Sequence, residues 1–336
     1  MSLNLEDIAK ISGVSRSTVS RVINGHPAVS ERTRKKVLQV IQEQNFRPNL
    51  AARALVTHQT RTLSLVIPQA IAYAFTDPYF PTLIQGVTAK ANEFDYAVML
   101  WVGSGDEEDR FAERVMNNSL FDGVLIASAV SDDLLIPRLA KAGFPLVIIG
   151  PPPQEGLNYI DVDNQRGAQV AVSHLIRLGW RRIGTIAGPQ NMGAARARLE
   201  GYRLAMERAG RPVDETLIVY GSFDEASGYL KMRALLQRKV DAVFVASDAM
   251  AHGALRAIHE HGLRIPEDIA VVGFDDLPMS ASTTPALTTV RQPIQDLGSM
   301  ATQVLIDLIN GAVSEPCHMV LGAQLIVRDT CGATAL

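Results

Sequence analysis

The sequence predicts an α/β protein in which a small helical head precedes two lobes, each built on a largely parallel sheet. Three observations predict this fold. The first 47 residues show helical periodicity with capping signals, whereas from residue 63 short apolar runs alternate with amphipathic helical patterns. That alternation is typical of parallel sheets covered by helices on both faces. A chain of 336 residues is also too long for one ordinary domain of about 100–200 residues.

Charge divides the chain in the same way. Hydrophobic residues make up 47% of the sequence and charged residues 20%, which indicates a folded protein with a large core. The net charge of −3 is uneven, because residues 1–57 hold nine basic and four acidic residues and the remainder holds 23 basic and 31 acidic ones. A basic head on an acidic body is expected when only the head meets a polyanion.

Several function classes find no support in the sequence. No run approaches the ~18 apolar residues of a membrane span, and the N-terminus lacks a secretory pattern, so we expect a cytoplasmic protein with no membrane partner. Cys317 and Cys331 are too few for a disulfide framework. His252, His259 and His261 lack the partners of a metal site, and no nucleophile elbow or phosphate loop occurs. We therefore expect no catalytic residue, metal or cofactor.

Three short helices are predicted in residues 1–47. The first has apolar residues at helical spacing over Leu5–Ile11 and ends at Gly13, which can adopt the left-handed conformation of a tight turn. Ser15 is the expected N-cap of the second helix, and Ser30 that of the third. Pro48 disfavours helix at the residue before it, so the third helix ends before this point.

The first two helices and their short turn fit a helix-turn-helix, in which the second helix lies in the major groove of DNA. Arginine can bond guanine bidentately and serine is adaptable, whereas other hydroxyl and amide groups suit phosphates. The candidate contacts are Arg16, Ser17, Ser20 and Arg21 for bases and Thr18 and Asn24 for phosphates. The alternative is a packed three-helix unit with ordinary surface arginines.

A helix-capable stretch follows the head at Asn49–Val56, and a polar link leads from it to Thr62. Isolated helices shorter than about 12–15 residues are unstable in water. This segment therefore needs DNA or a second chain in order to fold. By its pattern alone, Leu55 is only an exposed apolar residue.

Nine short apolar runs from residue 63 onward are candidate strands. They are 63–67, 97–101, 123–127, 145–149, 182–187, 217–220, 242–246, 269–273 and 325–327. Nine strands would overfill one covered sheet, so two lobes are predicted. In open α/β sheets ligands bind beyond the carboxyl ends of the strands, which places the expected site in the cleft between the lobes.

The head resembles that of the lactose-repressor (LacI/GalR) family over its whole length. The matching segments are Leu5-Glu-Asp-Ile-Ala-Lys-Ile-Ser-Gly-Val-Ser-Arg-Ser-Thr-Val-Ser-Arg-Val-Ile-Asn24, Val29-Ser-Glu-Arg-Thr-Arg34 and Asn45-Phe-Arg-Pro-Asn-Leu-Ala-Ala-Arg-Ala-Leu55. The DNA contacts that the resemblance implies are Arg16, Ser17, Ser20 and Arg21 in a lambda-repressor-like helix-turn-helix, and Asn49, Ala52 and Leu55 in a hinge helix. Leu55 and its dimer mate would wedge into the minor groove and kink the duplex.

The resemblance continues nearly to the end of the chain. Family-like blocks include Phe121-Asp-Gly-Val-Leu-Ile-Ala127, Ala246-Ser-Asp-Ala-Met250 and Val271-Val-Gly-Phe-Asp-Asp276. They imply a periplasmic-binding-protein-like core of two Rossmann-like lobes joined by crossovers near residues 160, 291 and 321. The predicted domains are the helix-turn-helix at 1–47, a hinge helix and linker at 48–61, and an effector-binding core at 62–336. The first lobe would comprise about 62–160 and 292–320, and the second about 161–291 and 321–330.

The resemblance also implies an effector pocket in the cleft. A sugar pocket needs a flat apolar surface for the ring and charged groups that bond hydroxyls. Arg198 matches the family arginine that bonds the effector, Phe223 its stacking aromatic and Asp275 its acid. The full implied set is Tyr79, Phe80, Arg198, Phe223, Ser247 and Asp275. Without the family resemblance, each of these residues is more often structural.

Three departures from the family pattern leave the identity of the effector open, and one of them is Ser247, which stands where relatives often carry a longer side chain. Glycine and prolines, Gly150–Pro153, replace the acid that often follows the fourth strand, so a polar contact is missing or moved. The loop Gln69–Asp77 is longer than usual and carries Tyr73 and Phe75, which could line the cleft. A sugar is the expected effector, with a nucleobase or another small molecule as the alternative.

Together these patterns predict a ligand-responsive transcriptional regulator, most simply a repressor, that binds a near-palindromic operator as a homodimer. The ligand would change the angle between the lobes and hence the spacing of the hinge helices. No heptads follow residue 328, so we expect no tetramerising helix. The alternatives are a sugar-binding transport-type protein, against which the basic head argues, and an α/β enzyme acting on a sugar or nucleoside.

Overall fold

A computed structural model describes residues 3–23, 26–46, 59–68, 75, 77–103, 110, 111, 113, 115, 120–131, 133–313 and 315–333. The chain separates into two compact units, Met1–Thr60 and Arg61–Leu336. Within the described residues, no helix combines the length and the apolar character needed to cross a membrane.

The first unit contains three helices, α1 (Leu5–Ser12), α2 (Arg16–Ile23) and α3 (Glu31–Glu43). All three predicted helices are therefore present. Gly13 ends α1 in the left-handed conformation, with φ of 62°. The hydroxyl of Ser15 accepts a hydrogen bond from the backbone N–H of Thr18 at 3.2 Å, and that of Ser30 from the N–H of Thr33 at 3.3 Å, as N-caps do. The core of this unit is Ile8, Ala9, Val19, Val22, Val37 and Val40.

The predicted hinge helix at Asn49–Val56 lies outside the described residues, and so do Asn24 and most of the loop Gln69–Asp77. Of that loop, Phe75 and Asp77 are described. The side chain of Phe75 is largely exposed, whereas Asp77 is buried.

One six-stranded sheet forms the first lobe of the second unit. Its strands are β1 (Thr62–Ile67), β2 (Ala97–Val102), β3 (Gly123–Ala127), β4 (Leu146–Ile149), β5 (Asn158–Val162) and β11 (His318–Leu321). They are all parallel, in the order β11-β5-β4-β3-β1-β2. The helices of this lobe include α4 (Tyr79–Glu93), α5 (Leu135–Lys141) and α10 (Ile294–Ile309). Apolar clusters lie on both faces of the sheet.

A second six-stranded sheet forms the other lobe. Its strands are β6 (Ile183–Ala187), β7 (Ile218–Tyr220), β8 (Ala242–Val245), β9 (Ala270–Asp275), β10 (Thr288–Arg291) and β12 (Gln324–Ile326). The order is β12-β10-β9-β8-β6-β7, and β12 alone of these runs antiparallel to its neighbour. The helices are α6 (Asn164–Arg177), α7 (Gly193–Arg208), α8 (Glu225–Leu236) and α9 (Asp248–Glu260), with short 3-10 helices at Glu215–Leu217 and Pro278–Ala281.

The chain passes between the two sheets three times, after β5, after β10 and after β11. The nine predicted strands are all present, with ends within two residues of those predicted. Sequence reasoning missed the three strands that immediately precede the crossovers. Polar residues such as Asp161, Thr288 and His318 interrupt the apolar pattern of these short strands, which is the signal that sequence reading depends on.

Candidate functional site

A cavity of about 700 Å³, part of it open to solvent, lies between the carboxyl edges of the two sheets. Both lobes contribute to its lining, as the topological rule for open α/β sheets predicts. The structure brings the six predicted effector residues together around this cavity: Tyr79, Phe80, Arg198, Phe223, Ser247 and Asp275. These residues are far apart in the chain, and they meet because elements of both lobes converge on the cavity.

Arg198 is the centre of the polar network in this cavity. It lies on α7 with 6% of its surface exposed. Its Nε donates to Asn164 Oδ1 at 2.8 Å, and its Nη1 donates to the carbonyl of Ala246 at 2.6 Å. The guanidinium carbon also lies 3.8 Å from the centre of the Phe274 ring. These contacts hold the guanidinium in one orientation, since buried charges need satisfied hydrogen bonds and a partner.

That partner is Asp275, which ends β9 with 5% of its surface exposed. Its Oδ1 lies 3.3 Å from Nη1 of Arg198 and accepts a 2.5 Å hydrogen bond from Nε2 of Gln292. Burial raises the pKa of Asp275 well above its ordinary value, although the charge of Arg198 lowers it. The φ angle of 126° at Asp275 is one that side chains rarely adopt, so the surrounding fold holds this residue in place.

Phe223 follows β7 and places its ring against Gly188, which follows β6. A Cβ atom at Gly188 would lie 2.3 Å from the ring of Phe223, so only glycine leaves room for the aromatic ring. Phe223 itself has a positive φ of 62°. The ring is buried and lies 5.8 Å from the guanidinium carbon of Arg198, which gives the cavity one flat apolar wall beside its charged group.

Tyr79 and Phe80 begin α4 with their rings edge to face at 5.3 Å. Phe80 is 2% exposed and belongs to the core of the first lobe. Tyr79 turns its phenol towards the charged groups of the cavity, and burial raises its pKa. Ser247 lines the cavity, but its hydroxyl caps α9 by accepting the N–H of Met250 at 3.2 Å.

Sequence reasoning missed five polar residues that line the same cavity: Asp77, Ser128, Asp161, Asn164 and Gln292. Asp161 lies in β5, and Gln292 directly follows β10. The sequence revealed neither of these strands. Asn164 begins α6 directly after the first crossover. Its amide group donates to Asp161 Oδ1 at 3.1 Å while its oxygen accepts from Arg198, so it links the acid of one lobe to the arginine of the other.

Asp161 lies beside Gly150, at the position where the sequence lacks an acid. The register pairs Ile149 with Ile160, so Gly150 and Asp161 are neighbours at the ends of β4 and β5. Gly150 donates its N–H to the carbonyl of Ile160 at 2.9 Å. Burial raises the pKa of Asp161 to about 6, because hydrogen bonds from the Val162 backbone and Asn164 only partly offset the loss of water.

The two lobes also touch at the mouth of the cleft. Ser131 donates its backbone N–H to the carbonyl of Asn191 at 2.8 Å, and its hydroxyl accepts from Nη1 of Arg196 at 2.7 Å. Val130 and Met192 form an isolated antiparallel bridge beside these contacts. In this structure the two lobes are therefore hydrogen-bonded to each other across the mouth of the cleft.

In the head, the expected base-reading side chains lie along α2. Arg16, Ser17 and Arg21 are exposed, and Thr18 and Ser20 are half-buried. The apolar side of the same helix, Val19 and Val22, is buried in the head core. Asn24, Asn49, Ala52 and Leu55 lie outside the described residues. Among the described residues of the whole chain, no group of three His, Cys, Asp or Glu side chains is placed to hold a metal ion.

The chain is similar to known proteins in both its head and its core. Residues 4–49 match bacterial regulatory proteins of the lacI family, and residues 172–331 match a periplasmic binding protein-like domain. The HTH-type transcriptional regulator CelR of Thermobifida fusca is 43% identical over 332 residues, which cover 97% of each chain.

Two solved structures show the same likeness in three dimensions. A complex of transcriptional regulator CelR with cellobiose has 41% sequence identity and a TM-score of 0.78, covering 98% of this chain and 99% of that one. A lac repressor dimer bound to operator and the anti-inducer ONPF has 29% identity and a TM-score of 0.86, covering 99% and 100%.

A helix-turn-helix head and a periplasmic-binding-protein-like core define a class of transcriptional regulators with a cleft between two lobes. The chain belongs to the lacI family of bacterial regulatory proteins. This confirms the family, the fold class and the regulatory function that the sequence predicted. The chain is therefore a regulator and not an enzyme, and the transport-type alternative is not favoured, because relatives that match along the whole chain are regulators.

Proposed function

We propose that this chain represses transcription as a cytoplasmic homodimer and that a sugar bound in the cleft changes its affinity for a near-palindromic operator. Each head would read one half-site, with residues 48–61 forming the hinge helix and linker. The observation that carries the ligand part is the buried Arg198–Asp275 pair, which lies beside the Phe223 ring in a cavity of about 700 Å³. Small-molecule sites are typically clefts in which a few polar groups stand beside an apolar wall.

The chemistry of this cavity suits a sugar. A flat ring such as Phe223 can pack against the C–H face of a pyranose, while a guanidinium and a carboxylate bond its hydroxyls in pairs. The contacts of Arg198 described above use Nε and Nη1. Its Nη2 group is thus the part of the guanidinium that would meet a ligand hydroxyl. The complex of CelR with cellobiose supports a sugar ligand for this cleft.

The DNA part is supported by the chemistry and exposure of α2. Arg16, Ser17 and Arg21 are exposed on this helix while its other side is buried. Side chains at the N-terminal part of a recognition helix reach base edges in the major groove, and arginine pairs with guanine there. The lac repressor dimer bound to operator supports the same arrangement for two copies of this chain.

Selection of duplexes from a random pool with the full-length protein tests the DNA part. We expect a two-fold related consensus bound at one dimer per duplex, measured by fluorescence anisotropy at a fixed salt concentration. Addition of the sugar that raises the protein's thermal midpoint should then change the operator affinity by about 5–150-fold, the usual range of allosteric coupling. The proposal would be contradicted if the protein showed no preference among duplex sequences, or if no bound ligand changed its affinity for the operator.

A further inference from the structure

The described walls of the cleft carry more negative than positive charge. Three carboxylates line the cavity, those of Asp77, Asp161 and Asp275, against the single guanidinium of Arg198 among the described lining residues. The guanidinium of Arg198 is already ion-paired with Asp275 and donates hydrogen bonds to two further acceptors. An anionic ligand entering this cavity would therefore meet an excess of like charge.

Asp161 is an acid of the cavity that the proposed sugar contacts have not used. It comes from β5 of the first lobe, whereas Asp275 comes from β9 of the second. No side chain covers it from the neighbouring strand end, because residue 150 is glycine. Among the described residues no basic side chain forms an ion pair with Asp161, and its side-chain partner is the amide of Asn164 at 3.1 Å. Burial also raises its pKa to about 6, so the hydrogen bonds from Val162 and Asn164 compensate its ionised form only in part.

We propose that Asp161 is a specificity residue of the cleft: together with Asp275 it accepts hydroxyl hydrogens of an uncharged polyhydroxylated ligand and excludes sugar phosphates and sugar acids. The inference rests on the proposed sugar-binding function. Hydroxyl groups supply donors to the half-buried carboxylate, and hydrogen bonds to an ionised acceptor are stronger than neutral ones. A phosphate or carboxylate supplies no such donors and adds charge of the same sign.

The test compares matched ligand pairs on the full-length protein at pH 7.5. The probes are ribose and ribose 5-phosphate, glucose and glucose 6-phosphate, and cellobiose and cellobionic acid, measured by isothermal titration calorimetry. We expect at least one uncharged sugar to bind and its charged partner to bind at least 100-fold more weakly. Charged and uncharged partners binding within tenfold of each other would overturn the proposal.

Two variants assign the selectivity to this residue. Asp161→Asn should weaken binding of the uncharged sugar about tenfold and narrow the gap to its charged partner by at least tenfold. Asp163→Asn is the matched control: Asp163 lies two residues away and its carboxylate caps α6 by accepting the N–H of Arg166 at 2.9 Å, a bond that asparagine can also accept. It should change both affinities less than twofold. An Asp161→Asn protein with unchanged affinities would overturn the role of Asp161.

The same measurements separate this inference from the proposed function. If sugars bind and shift operator affinity but charge selectivity is absent, the specificity role is wrong and the sensor function stands. If no probe of either charge binds, the sugar assignment and this inference are both wrong, while operator selection, which needs no ligand, still decides the DNA-binding role.

Discussion

Arg198 and Asp275 form an ion pair of 3.3 Å inside the cleft, with side chains only 7% and 6% exposed. Arg198 also holds Asn164, which begins α6 after the first crossover, and Asp275 accepts from Gln292, which lies at the second. The pair therefore connects the ligand cavity to two of the three segments about which the lobes can move. We therefore expect a ligand that bonds this pair to act on segments that set the lobe angle.

Replacing Arg198 should destabilise the core strongly. Arg198→Ala leaves the buried carboxylate of Asp275 without its cation and leaves Asn164 and the Ala246 carbonyl without a donor. Removing one partner of a buried pair costs roughly 3–5 kcal/mol. Urea unfolding of the full-length protein measures the loss, and sugar binding should disappear with it.

The matched control for that loss is Arg203→Ala on the same helix. Arg203 pairs with Glu215, whose side chain is 62% exposed. Exposed pairs contribute about 0–1 kcal/mol. Equal losses for the two variants would show that the burial of the Arg198 pair is not what matters.

The stability of the core should depend on pH through Asp161. Its pKa is raised from 3.8 to about 6 in the folded chain, so the folded state binds the proton more tightly than the unfolded state does. The stability that this group contributes is therefore fully present below pH 3.8 and is lost as the pH rises through about 6. The substitution Asp161→Asn removes this pH-dependent loss of stability, because asparagine does not ionise.

Relative to the unmodified protein, Asp161→Asn should gain on the order of 2–3 kcal/mol of unfolding free energy between pH 4 and pH 7.5, at ~1.4 kcal/mol for each unit of pKa. Unfolding curves of both proteins at several pH values measure this difference in unfolding free energy. Other titrating groups such as Asp248 are present in both proteins, so their contributions cancel in the difference. A pH-independent difference would mean that Asp161 has an ordinary pKa.

Gly188→Ala should damage the aromatic wall of the cleft. The added Cβ would lie 2.3 Å from the ring of Phe223, so either the ring or the backbone has to move. Overpacking of this kind costs about 1–3 kcal/mol, and the displaced ring should weaken sugar binding. Gly322→Ala is a suitable control, because a Cβ at Gly322 meets nothing within 4 Å. Similar effects at both glycines would exclude the close contact with Phe223 as the cause.

Arg21→Ala should lower operator affinity by about 1–3 kcal/mol and relax the preference for one base pair in each half-site. Arg21 is exposed on the same helix as Arg16 and Ser17, and an arginine can bond guanine bidentately in the major groove. Arg32→Ala, in the first turn of α3, changes the charge equally and should lower affinity by less. Selection of operators with the variant measures the effect. A uniform loss across all sequences would identify Arg21 as a phosphate contact instead.

The sequence by itself determined the local architecture of the head and the alternation of strands and helices. Caps and helix ends depend on neighbouring residues, so Gly13, Ser15 and Ser30 could be recognised from the chain alone, and the structure confirms all three. The nine apolar strands were predictable for the same reason, since their pattern is continuous. The family motifs placed Arg198, Phe223 and Asp275 at one cavity, where the structure also brings them together.

Only the tertiary structure decided which further groups share that cavity with Arg198 and Asp275. Asp161 lies in a strand too polar to be recognised. Its nearness to Gly150 depends on the pairing of β4 with β5, a relation between chain segments that no local pattern encodes. The close packing of Phe223 on Gly188 likewise joins the ends of different strands. Burial, which raises the pKa of Asp161 and Asp275, arises only when both lobes exclude water together.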